Sequence, residues 1–215
     1  EDEAGAICFG YTPTAATCVF NASLLAAETL AAAAELSGEE FLLNRAKLAV
    51  TYVIKRQQAD GSWTYGTDPT QSWIDSFHTA FLLYSLAKII PICHLPEYEA
   101  ALHNGYKFWR ERFFLADGWP KYYDHKLYPA DTHAAASAII TLLEFQKFDP
   151  GALALAEKIC EWAIKNLRDS AGYFYYQQRR WFVVKTPFMR WSQAWMLYGL
   201  GRLIEEKTKQ IPVQE

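Results

Sequence analysis

Asp75 and His78 stand three residues apart where a helix is expected to begin, so they share a face, and Asp131 with His133 recurs at the matching place 56 residues later. Two readings stay open for each acid. It caps the helix while the histidine satisfies its carboxylate, or it takes part in proton transfer. Two carboxylates from neighbouring repeats are also how a general acid and a base or nucleophile would be delivered in glycoside hydrolysis. Asp131 is the first candidate for an essential carboxylate, because it ends the longest aromatic loop and lies beside His133. The surrounding loops supply Trp63, Tyr65 and Trp73, then Trp119, Lys121, Tyr123 and His125, then Tyr175, Arg180, Trp181, Arg190 and Gln193 as candidate substrate-binding side chains. A pyranose ring asks for such a mixture, since its axial C–H faces stack on aromatic rings and its hydroxyls need directed partners. The competing reading is that the aromatics only plug the fold. Lyase or epimerase chemistry would draw on Lys121, His125, Arg179, Arg180, Lys185 and Arg190 to neutralise a uronate carboxylate, with His, Tyr or Lys abstracting the C5 proton.

The elements that must position these groups show a repeat. A glycine followed by an aromatic residue occurs at Gly10-Tyr11, Gly61-Ser62-Trp63, Gly118-Trp119 and Gly172-Tyr173, at intervals of 51, 57 and 54 residues. One helical hairpin with its two connections needs about 50 residues. Amphipathic helices are predicted before the later glycines, at 45–58, 98–114 and 152–167, with Tyr52, Trp109 and Trp162 at nearly equivalent places. Helices apolar over much of their circumference are predicted after the aromatic loops, at 21–36, 75–90, 131–148 and 190–205. A helix of that kind is buried on both sides, which predicts two layers, the charged helices outside and the apolar ones inside. The loops joining an outer helix to the next inner one would then emerge on one rim. A small β-hairpin is expected at 173–184, around a polar Gln-Gln-Arg turn, and Pro129 and Pro187 mark loop ends before helix starts. The fold class is all-α.

Composition narrows the function. A net charge of -3 gives no basic field for a polyanion, so nucleic acid is not an expected partner. Hydrophobic residues at 51% and charged residues at 21% exclude disorder, and no apolar run approaches the length of a membrane span. Cys8, Cys18, Cys93 and Cys160 form no CxxC pair and read as buried free thiols. The chain starts at Glu1 with no basic and apolar leader-like run, and localisation stays open with the cytoplasm favoured. P-loop, G-x-G-x-x-G and G-x-S-x-G motifs are absent, which removes nucleotide and serine-hydrolase functions.

The segment Gln57-Gln58-Ala59-Asp60-Gly61-Ser62-Trp63 resembles the Q-x-x-x-G-x-W repeat of terpenoid cyclases, and the hairpin pattern from about residue 8 to 206 is similar to the α/α-toroid superfamilies, including six-hairpin glycosidases, polysaccharide lyases and sugar epimerases. The resemblance implies one toroid domain over 1–206 with a polar tail at 207–215. Complete toroids have five to seven hairpins, whereas three and a half to four are read here, so this is expected to be the C-terminal part of a longer protein or an open partial toroid. The D-x-D-D acid motif of class II terpenoid cyclases is missing, and the cysteine and histidine zinc signatures of prenyltransferases and lanthionine cyclases are not met, so no metal and no cofactor are expected. The function expected is a carbohydrate-active enzyme of glycosidase, lyase or epimerase type acting on an oligo- or polysaccharide, with uronates included. A non-catalytic carbohydrate-binding or scaffold domain is the alternative, and a terpenoid-cyclase or prenyltransferase-like protein the second. The oligomeric state is left open.

Overall fold

In the computed structural model the described residues are 2, 5–14 and 17–209. One turn recurs three times in them. Gly61 N donates to Gln58 O, Gly118 N to Leu115 O and Gly172 N to Asp169 O, and each turn is closed one residue further by Gln58 N to Ser62 O, Leu115 N to Trp119 O and Asp169 N to Tyr173 O. All three glycines have φ between 88° and 98°, a conformation that a Cβ disfavours. At Gly61 and Gly118 a Cβ would also lie 2.5 Å from the backbone oxygen of Asn104 or Lys158, so the turn sits hard against the next helix.

The chain forms two compact units, Glu1–Glu111 and Arg112–Glu215. In the first, α1 (Phe20–Ser37) packs against α2 (Glu40–Ile54) and α3 (Ser76–Ile92), followed by α4 (Glu99–Arg112). Leu24, Ala27, Ala31 and Ala34 line the buried side of α1, while Leu25 and Leu36 are exposed. Glu28 on α1 accepts from Ser85 Oγ at 2.8 Å and Lys88 Nζ at 3.2 Å on α3, a polar tie between the two helices. α4 is anchored by the Trp109 indole, which donates to Ser76 O at the start of α3.

In the second unit, α5 (Thr132–Glu144) packs against both α6 (Ala152–Leu167) and α7 (Trp195–Lys209). Eleven of its residues are buried, among them the Ala134-Ala135-Ala136-Ser137-Ala138 run. These small side chains let α7 approach closely, with a Cβ at Gly199 falling 3.3 Å from Ala136 O. A wider-coiled turn, Met189–Ala194, leads into α7. Three two-residue strands, β1 (Ala130–Asp131), β2 (Gln177–Gln178) and β3 (Val183–Val184), form an antiparallel sheet in that order.

The all-α class with a minor β element is as expected, with three differences. α7 is not buried on both sides: only Met196, Gly199 and Leu203 are, while Leu197 and Ile204 are 75% and 65% exposed, because α5 and α6 cover one face. The hairpin turn is Arg179 to Phe182, closed by Arg179 N to Phe182 O, and the two glutamines lie in β2 instead of in the turn. The polar tail was read from residue 207, but α7 continues to Lys209 and the remainder lies outside the described residues. No described helix is long and apolar enough to cross a membrane.

Candidate functional site

Asp75 occupies the N-cap of α3 with extended backbone, and its Oδ1 accepts the backbone N–H of His78 at 2.9 Å. Its other oxygen, Oδ2, accepts the Trp73 indole N–H at 2.9 Å and lies 2.7 Å from His78 Nδ1. Both oxygens of this carboxylate are therefore engaged by the protein, and its side chain is 0% exposed. An acceptor-only carboxylate at that distance fixes the proton on Nδ1 of His78. The lone pair of the neutral ring is then on Nε2, which makes no hydrogen bond among the described residues, and the His78 side chain is 24% exposed. Cap and dyad are thus one arrangement, in which Asp75 orients and His78 is presented.

Tyr65 and Trp73 flank the imidazole. Their rings stack at 4.6 Å and 16°, and Tyr65 meets His78 at 4.4 Å. Burial, then the neighbouring Tyr11 and Asp75, push the Tyr65 hydroxyl above its usual value, so it is held as a neutral donor. Between Tyr65, His78 and α1 lies a cavity of about 10 Å³, room for one water, into which Asn21 contributes. The Asn21 Oδ1 is buried and accepts nothing. Sequence reasoning used Asn21 only as a helix start; its signal was a polar residue in the first turn of an apolar helix.

Asp131 repeats the cap on α5, its Oδ1 accepting from Ala134 N at 2.6 Å, and it is 2% exposed. Its Oδ2 lies 3.5 Å from Gln177 Nε2 on the paired strand, and Gln177 Oε1 is buried and accepts nothing. His133 is two residues from Asp131, where His78 is three from Asp75, and its ring packs against Trp195 at 5.4 Å. Next to Asp131, Tyr176 meets Phe188 edge to face at 5.0 Å and approaches Trp191 at 6.3 Å. Burial first, and Asp131 second, raise the Tyr176 hydroxyl, with Arg179 opposing. Gln177, Tyr176 and Phe188 were not among the expected site residues, because their tie to Asp131 runs through a strand pairing that no local pattern shows.

Several expected binding residues serve other ends. Trp63 is 2% exposed, its indole donating to Val53 O at the end of α2, so it is core and offers no stacking face. The difference is one of position. Trp63 stands two residues after its turn glycine, as buried Phe174 does, whereas Trp119 and Tyr173 come directly after theirs and keep exposed area; Ser62, at that same place, is buried. The Gln193 amide is consumed by both backbone groups of Phe174, at 2.9 and 2.6 Å. Trp119 lines a groove of about 370 Å³ with Trp162, Glu161, Lys165 and Asn166, and neither Asp131 nor His133 borders it. Lys121 donates to Asp124 O, and burial, then Arg112, hold its ammonium below the usual range against the pull of Asp124. His125 is exposed and paired with Asp124 at 2.7 Å, beside Tyr123. The Tyr175 hydroxyl donates to Asp169. Arg180 lies over Trp181 and Arg190 over Trp191, at 4.8 and 5.8 Å, all on the surface. No described group of three His, Cys, Asp or Glu side chains is placed to hold a metal ion.

No protein-family model matches the chain, and no curated protein matches it in sequence. Solved structures match it in three dimensions. It is similar to cellobiose 2-epimerase from Bacillus thermoamylovorans, with a TM-score of 0.72 and 14% identity over 90% of this chain and 54% of that one. An inactive variant of an α-1,6-mannanase of Salegentibacter, in complex with α-1,6-mannotriose, matches with a TM-score of 0.72 and 12% identity over 96% and 60%. Unsaturated glucuronyl hydrolase from Bacillus sp. GL1 matches with a TM-score of 0.70 and 14% identity over 95% and 63%. The chain thus spans roughly half to two-thirds of the length of these structures. At such identities the likeness is one of fold, and the fold resembles that of the six-hairpin glycosidase and α/α-toroid superfamily.

Proposed function

We propose that this chain belongs to a carbohydrate-active enzyme working by acid-base chemistry, in which His78, oriented by Asp75, exchanges a proton with the sugar. The observation that carries this reading is the 2.7 Å Asp75–His78 contact, with the carboxylate wholly enclosed and the imidazole partly exposed. A buried carboxylate that spends both oxygens on the protein cannot reach a glycosidic oxygen or an anomeric carbon. An imidazole with a free Nε2 can remove a proton from carbon or deliver one to oxygen. Of the glycosidase, lyase and epimerase chemistries left open by the sequence, the geometry therefore favours epimerase- or lyase-type proton transfer over two-carboxylate hydrolysis. The 10 Å³ cavity is too small for a pyranose, so the ring would stack on the exposed side of Trp73.

In the second unit, taken by itself, Tyr176, Trp191 and Arg179 beside the buried Asp131 are proposed to contact sugar. Exposed Arg179, Arg180, Lys185 and Arg190, interleaved with Trp181, Phe182 and Trp191, favour acidic sugars there. That same surface supports the second reading, a carbohydrate-binding module without turnover. Cellobiose, α-1,6-mannotriose and a uronate disaccharide should be incubated with the protein in D2O, and deuterium uptake at carbon followed by NMR. Uptake abolished in His78→Gln supports the proposal. Binding by calorimetry with no exchange, elimination or hydrolysis returns the chain to the binding reading, and no binding to any of the three removes both.

A further inference from the structure

Trp119 is fixed at both of its N–H groups and still keeps exposed area. Asp117 Oδ1 accepts its backbone N–H at 3.1 Å, and Leu127 O accepts its indole N–H at 3.0 Å. The ring meets Trp162 at 4.9 Å and Tyr128 at 5.2 Å, both edge to face. Because the indole N–H is spent inside the protein, a ligand meets this ring only as an apolar π surface. The turn that carries it is locked to α6 as well: a Cβ at Gly118 would fall 2.5 Å from Lys158 O, and Lys158 Nζ donates to Ala116 O at 3.1 Å. Turn and helix are the two walls of the groove of about 370 Å³, so the groove is formed before any ligand arrives. Its volume lies in the range of small-molecule sites, about 300–1,000 Å³, against the 10 Å³ beside His78.

The helical wall repeats along one face. Lys158, Glu161, Trp162, Lys165 and Asn166 stand at i, i+3, i+4, i+7 and i+8 on α6. Asn166 Nδ2 donates to Trp162 O at 2.8 Å, which leaves Oδ1 of the amide as an acceptor. Glu161 and Lys165 are exposed and make no hydrogen bond or ion pair among the described residues. From this groove we infer a sugar-holding site separate from the reacting groups, in which a neutral pyranose lies on the Trp119 ring, gives hydroxyl protons to Glu161 and to Asn166 Oδ1, and accepts from Lys165 Nζ. The inference rests on the sugar class proposed above and not on any role of His78. Two acids in the groove, Asp117 and Glu161, balance two lysines, Lys158 and Lys165, so a uronate gains nothing there, in contrast to the cationic surface that bears Arg179 and Arg190. Neither Asp131 nor His133 borders the groove, so the site holds sugar and transfers no proton through them.

The test titrates the folded chain with cellobiose and with α-1,6-mannotriose and follows the indole N–H signals by proton–nitrogen NMR, the Trp119 signal being assigned with Trp119→Phe. The Trp119 signal should move saturably with a neutral sugar. Glu161→Ala, at an exposed position, should weaken that binding about tenfold, as loss of a hydrogen bond to a charged group does, with circular dichroism unchanged. His78→Gln should leave the Trp119 titration as it is in the parent. A Trp119 shift without deuterium exchange at carbon keeps this site and removes only the proposed reaction. No Trp119 shift with either sugar overturns the site, whether or not His78-dependent exchange is seen. Full affinity in Glu161→Ala, or a uronate disaccharide that moves the Trp119 signal at lower concentration than both neutral sugars, overturns it as well.

Discussion

Asp75→Asn separates the orienting role from the capping role on one side chain. An asparagine oxygen in the Oδ1 place still accepts His78 N, and asparagine caps a helix about as well as aspartate. The amide nitrogen then stands where Oδ2 accepted two hydrogen bonds. The Trp73 indole can only donate, so its 2.9 Å bond is lost. His78 Nδ1 must turn acceptor, which moves the ring proton to Nε2 and removes the lone pair offered to substrate. An unmet buried hydrogen bond costs about 1–3 kcal/mol, and since Trp73 is 38% exposed its N–H can turn to water, which places the loss at about 1–2 kcal/mol. That corresponds to a melting point lower by about 2–8 °C in a chain of this size. A base held in the wrong tautomer should lose about 10²- to 10⁴-fold in turnover. Long-range proton–nitrogen NMR reads the tautomer without any substrate: Nδ1–H in the parent, Nε2–H in the variant. If Nδ1 keeps its proton in Asp75→Asn, or turnover stays within about twofold, the orienting role is wrong.

Asp131→Ala removes a cap and should destabilise by about 0.5–2 kcal/mol in urea unfolding, whereas Asp131→Asn should lose much less; turnover lost in Asp131→Asn at an unchanged melting point would give Asp131 a proton-transfer role. Gly105→Ala would place a Cβ 2.3 Å from a ring carbon of buried Trp63 and 3.2 Å from Leu83, so it should cost about 1–3 kcal/mol. Gly201→Ala, inside α7 with nothing within 4 Å, should instead stabilise by about 0.5–1 kcal/mol, and denaturant midpoints measure both. The Tyr175 hydroxyl, ahead of Ala171 N, holds Asp169 below its ordinary 3.8. A carboxylate with a depressed folded value stabilises above 3.8 and loses that contribution as pH falls through the lowered value. Tyr175→Phe should therefore be less stable than the parent above pH 3.8, converge with it as the pH falls through the lowered value, and show a shallower acid limb in pH-dependent unfolding.

The repeat was legible because its cause is local. A turn that needs φ near 90° selects glycine, and an extended residue before a helix selects Asp as the cap, so Gly61, Gly118, Gly172, Asp75 and Asp131 could all be read from types and spacing. What was hidden depends on partners distant in the chain. Matching the repeats on their aromatic residue pairs Trp63 with Trp119, although Ser62 sets Trp63 one position later, where it is core at 2% exposed while Trp119 keeps exposed area. The two glutamines read as a turn because they are polar; Gln177 is nevertheless 3% exposed in β2, pointing at Asp131. Gln193 reads as a hydrogen-bonding group for substrate until the backbone of Phe174 is seen to take both ends of its amide. α1 begins on Val19 and Phe20 with no side-chain cap, so only the polarity of Asn21 suggested its start.

The two Asp-His pairs differ by one position, and that position decides which way the imidazole faces. In both helices the third residue after the cap sends its backbone N–H to the cap's Oδ1, His78 in α3 and Ala134 in α5. A side chain at that place points back along the helix toward its own cap, so a histidine there can reach the second carboxylate oxygen as well. An alanine cannot, and in α5 the strand neighbour Gln177 approaches that oxygen instead. His133, two residues after its cap, is turned a further 100° around the helix and meets Trp195. Asp caps its helix in either case, while Asp75 adds the Trp73 indole and His78 as partners of its second oxygen. The sequence sign of a cap whose second oxygen also meets an imidazole is therefore Asp-x-x-His, the spacing of Asp75 and His78, where Asp131 and His133 are spaced Asp-x-His.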